Sequence, residues 1–113
     1  MSDSAAGTSP GTPVTDGTDW HLAPQTQDFL KALGSPTRQR MMMLFSAGAE
    51  LSVGEVAERV GVSQATASQQ LTLLRRGGIV RSRRDGKTVL YRADPEGALT
   101  ALSDLRSYLT NCC

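Results

Sequence analysis

At about 100° per residue, Gln64, Ala65, Ser68, Gln69 and Thr72 gather on one face of the stretch from Ser63 to Arg76, while Ala67, Leu71 and Leu74 gather on the other. The first set carries amide and hydroxyl groups or small side chains, and no acid. That is the chemistry needed at the base edges of duplex DNA. A glutamine amide pairs with adenine, and small neighbours let a helix approach the bases closely. Ser63 stands at the start of the stretch, where a hydroxyl and a helix N-terminus together suit a phosphate oxygen. Arg38, Arg75, Arg84 and Lys87 join these residues as candidate DNA contacts. An ordinary surface helix also turns polar side chains to solvent, so the face alone does not decide its purpose.

Its surroundings do. The formal net charge of the 113-residue chain is only +1, but the charges are segregated. From Val62 to Arg92 the bases Arg75, Arg76, Arg81, Arg83, Arg84, Lys87 and Arg92 face the single acid Asp85, whereas from Met1 to Gly34 the acids Asp3, Asp16, Asp19 and Asp28 face only Lys31. The basic half is where a polyanion would bind. Other chemistries find little support. There is one histidine, His21, no glycine-rich phosphate loop and no paired acids of catalytic spacing, so an enzyme is not expected. Cys112 and Cys113 are adjacent and form no disulfide framework. As thiolates they suit a soft ion; with His21 they are the only, and weak, candidate metal ligands, and the cofactor is left unknown. Residues 1–20 lack the basic and apolar regions of a secretory leader, and no stretch has the length and apolarity of a membrane span. The expected location is cytoplasmic, with no membrane partner.

The elements that must position these residues are short. Residues 1–20, rich in Gly, Ser, Thr, Pro and Asp, read as a flexible tail, and residues 21–113 as one domain. Aromatic residues make up 4% of the chain, so its core must rest on Leu, Val, Ala and Met, and a core this lean is often completed by a second subunit. Pro24 to Leu33 reads as a first helix, stopped by Gly34. Ser35-Pro36 opens a second that runs through Met41 to Phe45 and ends near Gly48. Leu51-Ser52-Val53-Gly54-Glu55 opens a third, with Ser52 and Glu55 at capping-box spacing and Val53, Val56, Ala57 and Val60 as its inner stripe. Gly61 ends it, Ser63 caps the fourth, and Gly77-Gly78 closes that one. Ile79 to Arg84 and Lys87 to Arg92, joined by Asp85-Gly86, then read as a hairpin in which both turn positions need positive φ. Asp94-Pro95 caps a last helix with Ala98, Ala101, Leu102, Leu105, Tyr108 and Leu109 at helical spacing. The expected fold class is mainly α (α+β), a winged helix-turn-helix of about five helices plus one β-hairpin wing.

From Phe29 to Tyr91 the chain resembles the ArsR/SmtB family of bacterial repressors. The resemblance is carried by Leu30-Lys31-Ala32-Leu33-Gly34-Ser35-Pro36-Thr37-Arg38, by Glu50 to Ala57, by Ser63 to Leu74, by Gly78-Ile79-Val80, and by Arg83 to Lys87 with Leu90-Tyr91. It implies a homodimer built from the first and last helices, with Phe29, Leu30, Leu33, Leu102, Leu105, Tyr108 and Leu109 at the interface. It also implies two recognition helices on an inverted-repeat operator and repression relieved by a small effector. The family's sensor sites do not carry over. One type places a Cys-x-Cys pair where this chain has Ser52 and Gly54; another uses Asp-x-His and His-x-x-Glu where it has Pro95, Gly97, Tyr108 and Asn111. The effector, whether metal, arsenical, redox or organic, stays open. The alternative reading, of a different class, is a winged-helix protein–protein interaction module that uses its basic face without binding DNA.

Overall fold

Helix starts are dictated by caps. In the computed structural model, which describes residues 21–113, the Ser35, Ser52, Ser63 and Asp94 side chains each accept a backbone N–H in the first turn of the helix that follows. The helices are α1 (Pro24–Leu33), α2 (Pro36–Met43), α3 (Val53–Val60), α4 (Gln64–Arg76) and α5 (Pro95–Cys112). The strands are β1 (Leu51–Ser52), β2 (Val80–Asp85) and β3 (Thr88–Ala93), in the antiparallel order β1-β3-β2. The expected tail, residues 1–20, lies outside the described residues.

Helix α1 lacks a side-chain cap of its own, and α5 supplies one: Asp104 Oδ2 accepts the Ala23 N–H at 3.0 Å. Hydrogen bonds from Thr26 and Ala23 hold the Asp104 carboxyl below the ordinary aspartate range, helped by the charge of His21. Met41, Phe45, Val56, Leu71, Leu74 and Val80 form the sealed centre of the core. The glycines that end α4 do more than stop it. A Cβ on Gly77 would stand 3.0 Å from the Asp28 carbonyl oxygen and 3.1 Å from the Phe29 Cα, so α1 crosses α4 at a point where any side chain would push the helices apart by a few tenths of an ångström.

Three expectations are corrected. Ser52 caps α3 as expected, but Leu51 and Ser52 also form a short strand, Leu51 opposite Tyr91 and Ser52 opposite Leu90, so the hairpin belongs to a three-stranded sheet. Leu51 is buried in the core, and its pairing with Tyr91 makes the segment extended. The second helix ends at Met43, and a 3-10 turn at Ser46–Gly48 follows. The hairpin turns at Gly86-Lys87, not at Asp85-Gly86, because Asp85 pairs with Thr88. Among the described residues only Gly86 of these has positive φ, 67°, the pattern of a turn with glycine at its first central position.

Candidate nucleic-acid interface

Helices α3 and α4 are joined by Gly61, whose φ of 82° lets the chain leave α3 through a left-handed residue, with the Gly61 and Val62 N–H groups both donating to the Ala57 carbonyl. This fixes α4 against α3. Ala67, Leu71 and Leu74 are wholly buried, and Gln64, Ala65, Ser68 and Gln69 on the opposite side are exposed. Thr72 is half-buried, its hydroxyl donating to the Ser68 carbonyl at 2.9 Å. The Gln64 amide lies over the start of α3: a Cβ on Gly54 would come within 3.2 Å of its Nε2. The Ser63 hydroxyl is engaged in the cap, accepting from the Thr66 N–H at 3.1 Å and donating to Thr66 Oγ1 at 3.0 Å. Arg75 is exposed at the end of α4, and Arg84 and Lys87 are exposed at the wing tip.

Arg38 is placed differently from the other candidates. Its half-buried guanidinium donates to the Lys31 and Ala32 carbonyls and to Gln70 on α4. Nothing in the local sequence signals those partners, because two are backbone oxygens and the third lies 32 positions away. The Arg83–Glu50 pair was equally hidden. Arg83 Nε and Nη2 each donate to a Glu50 carboxylate oxygen at 2.8 Å, which ties β2 to the segment before β1. That pairing holds the Glu50 carboxyl below the ordinary glutamate range and raises Arg83. Arg81 and Arg92 are cross-strand partners on the same outer face as Arg83, so the wing presents cations beyond Arg84 and Lys87.

A second surface lies on α1 and α5. Leu30, Leu99, Leu102 and Leu109 are exposed, and Leu105 and Tyr108 half-exposed. Leu102, Leu105 and Leu109, with Arg106 and Thr110, line a groove of about 410 Å³. Phe29, expected at a subunit interface, is instead 4% exposed in the protomer's own core, and Leu33 packs against that core. Their neighbour Leu30 faces outward. Leu99 was missed, although it lies three residues before Leu102 and so on the same side of α5.

Residues 33–83 match the family model described as a helix-turn-helix domain. The biofilm growth-associated repressor of Xylella fastidiosa is 41% identical over 70 residues, covering 62% of this chain and 60% of that protein. The match thus spans about three fifths of that relative's length. The crystal structure of the repressor BigR from Xylella fastidiosa superposes with a TM-score of 0.55 at 36% identity, over 70% of this chain and 81% of that one. The homodimeric winged helix-turn-helix DNA-binding domain from Mycobacterium bovis, described as a possible ArsR-family transcriptional regulator, superposes with a TM-score of 0.60 at 33% identity, over 74% and 78% of the two chains. The chain belongs to the ArsR family. The transcriptional activator HlyU of Vibrio cholerae is also similar, 40% identical over 62 residues, 55% of this chain and 56% of that protein.

Within this ArsR-family fold the two sensor positions of the third helix have structural duties. Ser52 caps α3 in a reciprocal box with Glu55, the Ser52 N–H donating to Glu55 at 2.9 Å and Ser52 Oγ accepting from the Glu55 N–H at 3.2 Å. Gly54 makes room for Gln64. Of the last-helix positions, Pro95 and Gly97 belong to the first turn of α5. Among the described residues no group of three or more His, Cys, Asp or Glu could hold a metal ion. Cys112 and Cys113 are exposed at the end of α5, and hydrogen bonding to Cys113 pushes the Cys112 thiol up. No helix among them is long and apolar enough to cross a membrane.

Proposed function

We propose that this ArsR-family chain is a homodimeric, sequence-specific DNA-binding repressor. Helix α4 reads base edges in the major groove, the wing grips the flanking backbone, and α1 and α5 join two protomers on an inverted repeat. The observation that carries the reading is the split of α4: Ala67, Leu71 and Leu74 sealed inward, Gln64, Ala65, Ser68 and Gln69 exposed. A helix anchored on one side and free to offer amides and small groups on the other is what groove reading requires.

Roles follow from placement. Gln64 and Gln69 contact bases, with Ala65 and Ser68 allowing close approach and Thr72 at the edge of the face. Arg75, Arg84 and Lys87 contact phosphates, and the N-terminal turn of α4 behind Ser63 approaches one. Arg38 is left out of the contact set, because its nitrogens are engaged by acceptors on α1 and α4. The dimer face comprises Leu30, Leu99, Leu102, Leu105, Tyr108 and Leu109. Repression, rather than activation, is favoured by the name of the Xylella fastidiosa relative. Such a regulator acts in the cytoplasm.

The test is a fluorescence titration of the purified chain against DNA from upstream of its own gene, at salt from low to moderate concentration. Saturable binding that weakens steeply with salt, as counterions are released from the phosphates, is expected. Absence of binding, or binding indifferent to salt, would remove the reading.

A further inference from the structure

Arg38 offers three nitrogens to three acceptors on two other helices. Its Nε donates to the Ala32 carbonyl at 2.8 Å, its Nη2 to the Lys31 carbonyl at 2.9 Å, and its Nη1 to Gln70 Oε1 at 2.8 Å. The first two acceptors are among the last carbonyls of α1, which have no amide four residues ahead within the helix. A cation at that end is also favoured by the helix dipole. Gln39, the next residue of α2, closes a third carbonyl, Leu33, at 2.7 Å. The remaining arm of Arg38 reaches α4 from behind its polar face, for at helical spacing Gln70 stands beside Ala67 and Leu74.

The apolar contacts of Ala67, Leu71 and Leu74 hold α4 to the core, but apolar attraction is non-directional and lets a helix roll or slide. A planar guanidinium bonded on several sides is directional. The same α1 whose carbonyls it holds carries Leu30 on the exposed apolar face. A continuous line of hydrogen bonds therefore runs from the helix of the dimer face, through Arg38, to the helix of the polar face.

We infer that Arg38 and Gln70 are positioning residues that lock α4 to α1 and thereby set the separation of the two reading helices, and so the operator spacing the dimer accepts. The inference rests on the DNA-binding dimer proposed above. Bivalent binding gains only when both sites are engaged at once, so its strength depends on matching geometry. A rigid link makes the dimer discriminate between spacings. A loosened link leaves each half-site contact intact and lets neighbouring spacings compete.

The probes are an inverted repeat enriched by the wild-type chain from random duplex DNA, the same repeat with one base pair added or removed between its halves, and a single half-site. The wild type is expected to prefer its own spacing by about tenfold or more, and Gln70→Met, which removes the acceptor at similar volume, to keep about threefold or less. Half-site affinity should stay within about twofold, and Gln70→Glu, which restores an acceptor for Arg38, should return the discrimination. Should Gln70→Met fail to fold, Gln70→Asn withdraws the amide by one methylene and is read the same way. Undiminished discrimination in the variant overturns the inference, as do equal losses on half-site and full repeat or no rescue by Gln70→Glu. If the wild type enriches no DNA, the regulator reading fails first and this inference with it.

Discussion

Helices α4 and α5 make opposite use of their apolar residues. In α4, 13 residues long, Ala67, Leu71 and Leu74 are sealed inside the protomer, and what faces outward is polar. In α5, 18 residues long, only Ala101 is buried, while Leu99, Leu102 and Leu109 are between 48% and 64% exposed. One helix is complete within a single chain and shows a chemically specific surface. The other is incomplete and shows a surface whose only chemistry is burial. An exposed apolar patch of this kind is the feature expected of an association face. The proposed division of labour rests on this difference: α4 to recognise, α5 to assemble.

Replacing one leucine in each helix should expose the difference. Leu71→Ala removes a wholly buried side chain and is expected to destabilise the fold by about 2–5 kcal/mol, read as a lower midpoint in chemical denaturation at any protein concentration. Leu102→Glu should leave the fold of the isolated protomer standing but dissociate the dimer in sedimentation. It should also weaken operator binding by about a hundredfold, because the second protomer is no longer tethered to the first. If Leu102→Glu unfolds the chain and Leu71→Ala does not, the assignment of the two helices is inverted.

The wing gives smaller effects of a different kind. Arg84→Ala and Lys87→Ala should weaken binding to all sequences alike, each reducing the slope of log affinity against log salt by about one. A change of base preference in either variant would place the wing among the readers instead. The smallest effect concerns Glu50, whose carboxyl is held below the ordinary glutamate range by hydrogen bonds from Arg83. A carboxylate with a depressed folded-state pKa stabilises fully above its unfolded pKa, and that contribution disappears as pH falls through the folded value. The difference in melting temperature between wild type and Glu50→Gln should therefore be present at neutral pH and close as pH drops below the ordinary glutamate range. A difference that is constant across that window would mean the pair contributes no pH-dependent stability.

What was legible beforehand is what depends on neighbours in sequence. The Ser52–Glu55 box, the Ser63 and Asp94 caps, the Gly61 turn and the two faces of α4 all follow from residues within one or two helical turns, and the structure has them. What was not legible depends on distant partners. A strand of two residues has no period to detect, and Leu51 is extended because Tyr91, far along the chain, is there to pair with it. Periodicity marked Phe29, Leu30 and Leu33 as apolar but could not say that Phe29 closes the core while Leu30 faces out. Asp85-Gly86 announced a hairpin, yet the register was decided by the pairing of Asp85 with Thr88, which moved the turn by one residue. Arg38 read as a candidate DNA contact, and its acceptors on α1 and α4 come together only when the helices pack.

The most direct test of α4 as the reading element is selection from random duplex DNA by the wild-type chain and by the double variant Gln64→Ala/Gln69→Ala, with the enriched sequences compared. The account predicts that the wild type enriches an inverted repeat with half-sites about one helical turn apart. The variant should still bind DNA but lose preference at the base pairs those amides face. An identical enriched sequence from both proteins would contradict it.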